Sequence, residues 1–212
     1  MSSSGIAYRL LDGTGAADRE DDLLALAAEV CGDAGAPAAA RRARVRRRQP
    51  GFALAEARHG GYLVGYATGM PLRPSTSWWR GLTTSLPPQD TAEYQGRTFA
   101  LTELLVRASW RRQGTGSELH DLLLGGRGEE RATALVPPGA GAAQRAFVSW
   151  GWRKAARARG DGPDAPVLDV MLIRLPAVPR GLPVRSSPRC GRAPRRSSRS
   201  PRRRAATRRS AR

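Results

Sequence analysis

A chain of 212 residues is long enough to bury one proper core. Its formal charge of +18 is lopsided: 13 arginines and no acidic residue fall within 180–212, which leaves about +5 for residues 1–179, an ordinary value for a globular domain. No apolar run nears the roughly 18 residues of a membrane span, Cys31 and Cys190 lack metal-ligand spacing, and the first residues lack a charged and apolar leader. The expectation is a cytoplasmic protein with no metal and no membrane partner.

Ile6–Leu11 reads as a first strand. Ala17–Val30 reads as one amphipathic helix, with Leu23, Leu26, Ala27 and Val30 on one face and acids at its start, where the helix dipole favours them. Cys31, in the same apolar run, reads as a small core residue. Pro37–Arg48 reads as a second helix whose arginines form a solvated face. Gly51–Arg58 and Tyr62–Met70 are apolar runs joined by His59-Gly60-Gly61, a hairpin signal. The stretch 68–90 is rich in Pro, Ser and Thr and holds Trp78 and Trp79; Tyr94 follows.

Thr98–Val106 reads as a strand, apolar at most positions. It runs into Arg111-Arg112-Gln113-Gly114-Thr115-Gly116, and from Gly116 to about Leu124 the leucines 119, 122 and 123 recur at helical spacing. Glycines 114 and 116 let the backbone approach a ligand closely. The first turn of a helix has unpaired N–H groups and a partial positive charge. Together with the guanidinium groups of Arg111 and Arg112 they form an anion cradle suited to a diphosphate. The loop lacks the Lys-Ser/Thr of a P-loop and the spacing of a dinucleotide-binding fingerprint. A structural turn with surface arginines is the alternative reading.

Ala132–Val136 reads as a short buried strand, Pro137–Ala142 as a turn-rich break, and Ala143–Arg153 as a helix ending at Gly151. Val167–Leu175 reads as a late strand. Strands interleaved with helices predict a central mixed sheet covered on both faces. After Pro176, Pro, Ser and Arg dominate, and a segment so poor in apolar residues is expected to be disordered. Two readings of that tail stand: phosphate neutralisation on nucleic acid, or an accidental extension. Lys154 is the only lysine, asparagine is absent, and isoleucine occurs only at 6 and 173. That bias fits GC-rich coding DNA and lowers the information carried by any one arginine.

Arg111, Gly114 and Gly116, with Val106 five residues upstream, resemble the acetyl-CoA loop of the GNAT N-acetyltransferases. Ala143, Phe147 and Gly151-Trp152 resemble the family's following helix, and the likeness covers roughly residues 5–176. It implies an α/β fold with a GNAT-type mixed central sheet flanked by helices, over 5–176, followed by the tail 177–212. It implies transfer of an acetyl group from acetyl-CoA to an amine by direct attack in a ternary complex, with no metal. Backbone groups of Leu105 and Val106 would bind pantetheine. Those of Arg111, Arg112, Gln113, Gly114, Thr115 and Gly116 would bind the diphosphate. Glu103 would be the general base or, equally, an outward strand acid paired with an arginine. Trp78, Trp79 and Tyr94 would border the acceptor, a small molecule or a peptide, or else pack over the sheet. A homodimer stays open. One departure is Phe147, which stands where many members carry a proton-donating tyrosine; another is Gly139-Ala140, where an asparagine is frequent. Phe147 and the basic tail support a rival reading, a degenerate fold that senses acyl-CoA or binds nucleic acid through the tail. His120 reads as a surface or packing residue and His59 as a turn residue.

Overall fold

The computed structural model describes residues 5–32, 36–160 and 165–176. The Arg-rich tail 177–212, and with it the expectation of disorder, lies outside the described residues. Seven strands form one mixed sheet in the order β1-β2-β3-β4-β5-β7-β6. They are β1 Ile6–Leu11, β2 Ala53–His59, β3 Tyr62–Pro71, β4 Thr98–Val106, β5 Arg131–Val136, β6 Arg153–Arg159 and β7 Val167–Arg174. All neighbours are antiparallel except β4 and β5.

β2 and β3 are joined by Gly60 and Gly61 at φ 55° and 84°, the left-handed pair that a tight hairpin twist needs. The run 17–31 divides into α1, Gly13–Ala17, and α2, Glu20–Cys31. Asp12 caps α1 by accepting from the N–H groups of Thr14 at 3.0 Å and Gly15 at 2.9 Å. α3 spans Ala36–Arg47, α4 is the short Pro88–Thr91, α5 is Thr115–Leu124, and α6 is Gly141–Ser149.

One face of the sheet carries alanines 53, 55, 57, 132 and 134 with Phe99 and Leu101, packed against Leu119 and Leu123 of α5 and Phe147 of α6. The small side chains of β2 and β5 let the helices lie close. On the opposite face Leu54, Leu63 and Tyr66 pack under Ala16 of α1 and Leu26 of α2. Further along that face, Trp79, Leu82 and Leu86 pack on Ala156, Ala158 and Val170.

Charge fixes α2 against its neighbours. Fully buried Glu56 takes Arg58 Nε at 2.8 Å, and Arg58 reaches Asp22 of α2 at 2.6 Å. Glu20 of α2 is gripped by Arg44 and Arg47 of α3, whose hydrogen bonds hold its carboxyl below the usual range. One sequence expectation needs correction. Cys31 is exposed rather than part of the core, because it falls on the last residue of α2, beyond the turn that Leu26 buries.

Candidate functional site

The site begins where two strands part. β4 pairs with β5 only from Thr98 to Leu101, opposite Arg131 to Ala134. Beyond that, β4 stays on β3 as far as Val106, while β5 stays on β7 as far as Val136. The strands therefore splay, and the β5-facing backbone edge of residues 102–106 has no strand partner. An open edge is a row of donors and acceptors ready for an extended ligand. Leu105 and Val106 lie on it.

A cleft of about 1360 Å³ fills the splay, larger than the roughly 300–1,000 Å³ of ordinary small-molecule sites. Its walls are β4 from Leu101 to Val106, β5 from Ala134, the alanine-rich start of α6 with Phe147 and Trp150, and the apolar side of α2. Arg111, Arg112, Gly114, Gly116 and Ser117 close one end. In that loop Arg112 and Gly114 have φ of 60° and 86°. Arg112 is the only non-glycine in the left-handed region among the described residues, a strain that clusters at functional sites. Ladder bonding in α5 starts with Glu118 N–H donating to Gly114 O at 3.0 Å. The N–H groups of residues 112–117 make no backbone hydrogen bond among the described residues. A β-carbon on Gly116 would stand 3.8 Å from both Leu104 Cδ2 and Trp150 Cη2, so this glycine faces the cleft.

The loop's side chains divide the work. Arg111 Nε donates to Val106 O at 2.8 Å, which ties the loop to the strand end. Gln113 Nε2 donates to Ser109 O at 2.8 Å. Thr115 is buried, with its hydroxyl unpartnered. Among the described residues, the backbone N–H groups of 112–117 and the guanidinium of Arg112 together remain as free donors at this end of the cleft.

Glu103 owes its direction to a bulge. Thr68 pairs with Glu103 but the next residue, Gly69, pairs with Leu101, so Thr102 is extra. Leu101 and Leu104 then both pack toward α5, and Glu103 falls on the other face with Tyr66. Tyr66 donates its hydroxyl to Glu103 Oε2 at 2.9 Å, and Arg46 of α3 lies 3.5 Å from Oε1. Burial and the adjacent Glu103 carboxylate push the Tyr66 phenol well above its ordinary range. Burial pulls the Arg46 guanidinium down, and Glu103 opposes this. Cys31, exposed to solvent, lines the cleft, and partial desolvation there pushes its thiol up.

A second, smaller hollow of about 60 Å³ also reaches Glu103, sharing Leu24, Ala27 and Tyr66 with the cleft. Ala16, Leu23, Phe52, Tyr66, Thr68 and three arginines of α3 are among its lining residues. Trp78, Trp79 and Tyr94 line neither hollow. Trp78 Nε1 donates to Thr133 at 3.2 Å, Trp79 Nε1 to Glu93 at 3.0 Å, and Tyr94 to Glu130 at 2.6 Å. Phe147 is buried between Trp150 and Trp152, with ring centres 5.6 and 5.0 Å away. His120 is a packing residue: its Nε2 accepts from Trp152 Nε1 at 2.9 Å and its Nδ1 meets Asp121 at 2.7 Å. Tyr66, Arg46 and Trp150 were not singled out by sequence. Tyr66 could have been found by extending the hairpin register to β4, but nothing in the sequence distinguishes Arg46 from the arginines beside it.

Among the described residues no group of three or more His, Cys, Asp and Glu is placed to hold a metal. No helix of the described residues is long and apolar enough to cross a membrane.

The fold has close company among solved structures. The ribosomal-protein-S18-alanine N-acetyltransferase of Escherichia coli superposes with a TM-score of 0.56 at 14% identity, covering 84% of this chain and 99% of its own. The PaiA N-acetyltransferase of Thermoplasma acidophilum, solved in complex with coenzyme A, gives 0.52 at 12%, covering 82% and 99%. An acetyltransferase of Thermus thermophilus gives 0.55 at 16%, covering 82% and 100%. No curated protein sequence matches the chain. At such identities the likeness speaks to the fold. The family model of the GNAT acetyltransferases, however, matches residues 21–145, more than half of the chain. With the splayed strands and the glycine loop, that match places this protein in the GNAT acetyltransferase family, whose acetyl donor is acetyl-CoA.

Proposed function

We propose that the protein is an acetyl-CoA-dependent N-acetyltransferase acting on a primary amine by direct attack in a ternary complex. The observation that carries this reading is the parting of β4 and β5 beyond Leu101 and Ala134, directly beside a turn whose N–H groups are unspent. The cleft fits the donor in three respects. Its length suits an extended molecule, the free edge at Leu105 and Val106 suits the amides of pantetheine, and the 111–116 turn suits a diphosphate. Acetyl-CoA supplies an activated acetyl thioester there.

This chain's own groups do the rest. Tyr66 and Arg46 hold the Glu103 carboxylate at the junction of the two hollows. Glu103 takes the proton that the attacking amine must shed. The amine nitrogen forms the C–N bond as the thioester C–S bond breaks, and the sulfur departs as thiolate. Phe147 offers no hydroxyl, so water protonates the thiolate, a tolerable leaving group near neutral pH. Trp78, Trp79 and Tyr94 serve by packing outside both hollows, and the acceptor enters past Tyr66 and α3.

The test is release of free CoA on adding amines to the protein with acetyl-CoA. Binding of acetyl-CoA without turnover by any amine would instead favour the sensor reading that Phe147 motivates.

A further inference from the structure

The hollow on the acceptor side has an unusual charge for a site that must receive an amine. Most amines arrive as ammonium cations, yet α3 presents arginines here. Arg44, Arg46 and Arg47 line the hollow, against two acids among its lining residues, Glu20 and Glu103. Arg44 and Arg47 share the single Glu20, which leaves one positive charge over. Arg46 and Glu103 face each other at 3.5 Å, so proton uptake by Glu103 during turnover would raise that excess to two. On the same helix Arg41 and Arg42, and Arg48 just beyond it, are exposed. A cation-rich acceptor would meet repulsion at each stage of entry.

We infer, on the N-acetyltransferase reading above, that the acceptor is the amine of an acidic peptide, whose carboxylates lie along α3 while its amino terminus reaches Glu103. Two observations favour a peptide over a small amino acid. The hollow is narrow, about 60 Å³, so only the amine-bearing end enters. Positive charge also continues along the helix outside it: the stretch from Arg41 to Arg48 rises about 10 Å at helical pitch, which is the reach of several extended residues rather than one. The field at the mouth thus reads the residues that follow the amine, and Arg46 yields its place beside Glu103 to the incoming amine while turning to the substrate's carboxylates.

Three peptides of equal length with the same N-terminal serine, followed by acidic, neutral or basic residues, test this by CoA release from acetyl-CoA. The acidic peptide is expected to show kcat/KM about tenfold above the neutral one, with the basic one poorest. The gap should close in roughly 0.5 M salt, where screening shortens the field to a few ångströms. Arg41→Glu/Arg42→Glu/Arg48→Glu, all at exposed positions, should reverse the order of the acidic and basic peptides without lowering Tm. Equal rates for the three peptides would overturn the inference and leave the N-acetyltransferase reading standing. Free glutamate turned over as well as the acidic peptide would also overturn it, in favour of a small acceptor. No CoA release from any amine would overturn both.

Discussion

At Glu103 the extra residue Thr102 decides which side of the sheet the carboxylate serves. Period-two reasoning from sequence places the residue on a strand next to the cofactor edge, but it cannot see a bulge. The register with β3 is set by tertiary pairing, so the partnership with Tyr66 and Arg46 appears only in three dimensions. Glu103→Gln should lower kcat with a good amine by roughly 10²-fold and leave acetyl-CoA affinity unchanged; calorimetry and steady-state CoA release measure both. Unaltered turnover would make Glu103 a structural partner of Tyr66. Tyr66 gives a second readout. Its phenol is raised by burial and by Glu103. Below pH about 10 it is neutral whether the chain is folded or not, and above that the unfolded chain ionises first. Stability should therefore fall as pH rises past about 10, and Tyr66→Phe should flatten that fall in an alkaline melting series.

Between Val106 and α5, the sequence conveyed most of what matters. A strand, a basic glycine turn and a leucine-spaced helix were legible because each follows from local chemistry: residue size, the unpaired helix start, and the 3.6-residue period. The Gly60-Gly61 turn was legible for the same reason. What was not legible depends on distant partners. The alternation of β6, arginine-rich and half-solvated, lacks an apolar run, and the division of 17–31 into two helices reflects packing on β2. The turn's role can be separated from its strain by two substitutions. Gly116→Val keeps an ordinary helical backbone but puts methyl groups between Leu104 and Trp150. Acetyl-CoA affinity should then drop by roughly tenfold or more, with little change in Tm, because the diphosphate can no longer approach the backbone N–H groups. Gly114→Ala meets no neighbouring atom, yet must hold φ of 86°, and should cost about 1 kcal/mol of stability in denaturant unfolding.

Among the described residues the sheet ends with β7, which pairs with β5 as far as Arg174 and with β6 as far as Leu172, and these residues belong to one compact unit, Met1–Arg180. We therefore propose that residues 5–176 form the GNAT acetyltransferase domain. Deleting 177–212 should leave Tm and acetyl-CoA affinity unchanged while removing most non-specific DNA binding, which itself should weaken steeply with salt. A large fall in Tm would mean that the tail belongs to the folded core. On the reading proposed above, this molecule moves an acetyl group from acetyl-CoA to an amine. Mass spectrometry of an amine panel incubated with acetyl-CoA and the full chain tests it most directly. The expected result is an acetylated amine formed in step with free CoA and suppressed by Glu103→Gln. Saturable acetyl-CoA binding with no acetylated product from any amine in the panel would contradict it.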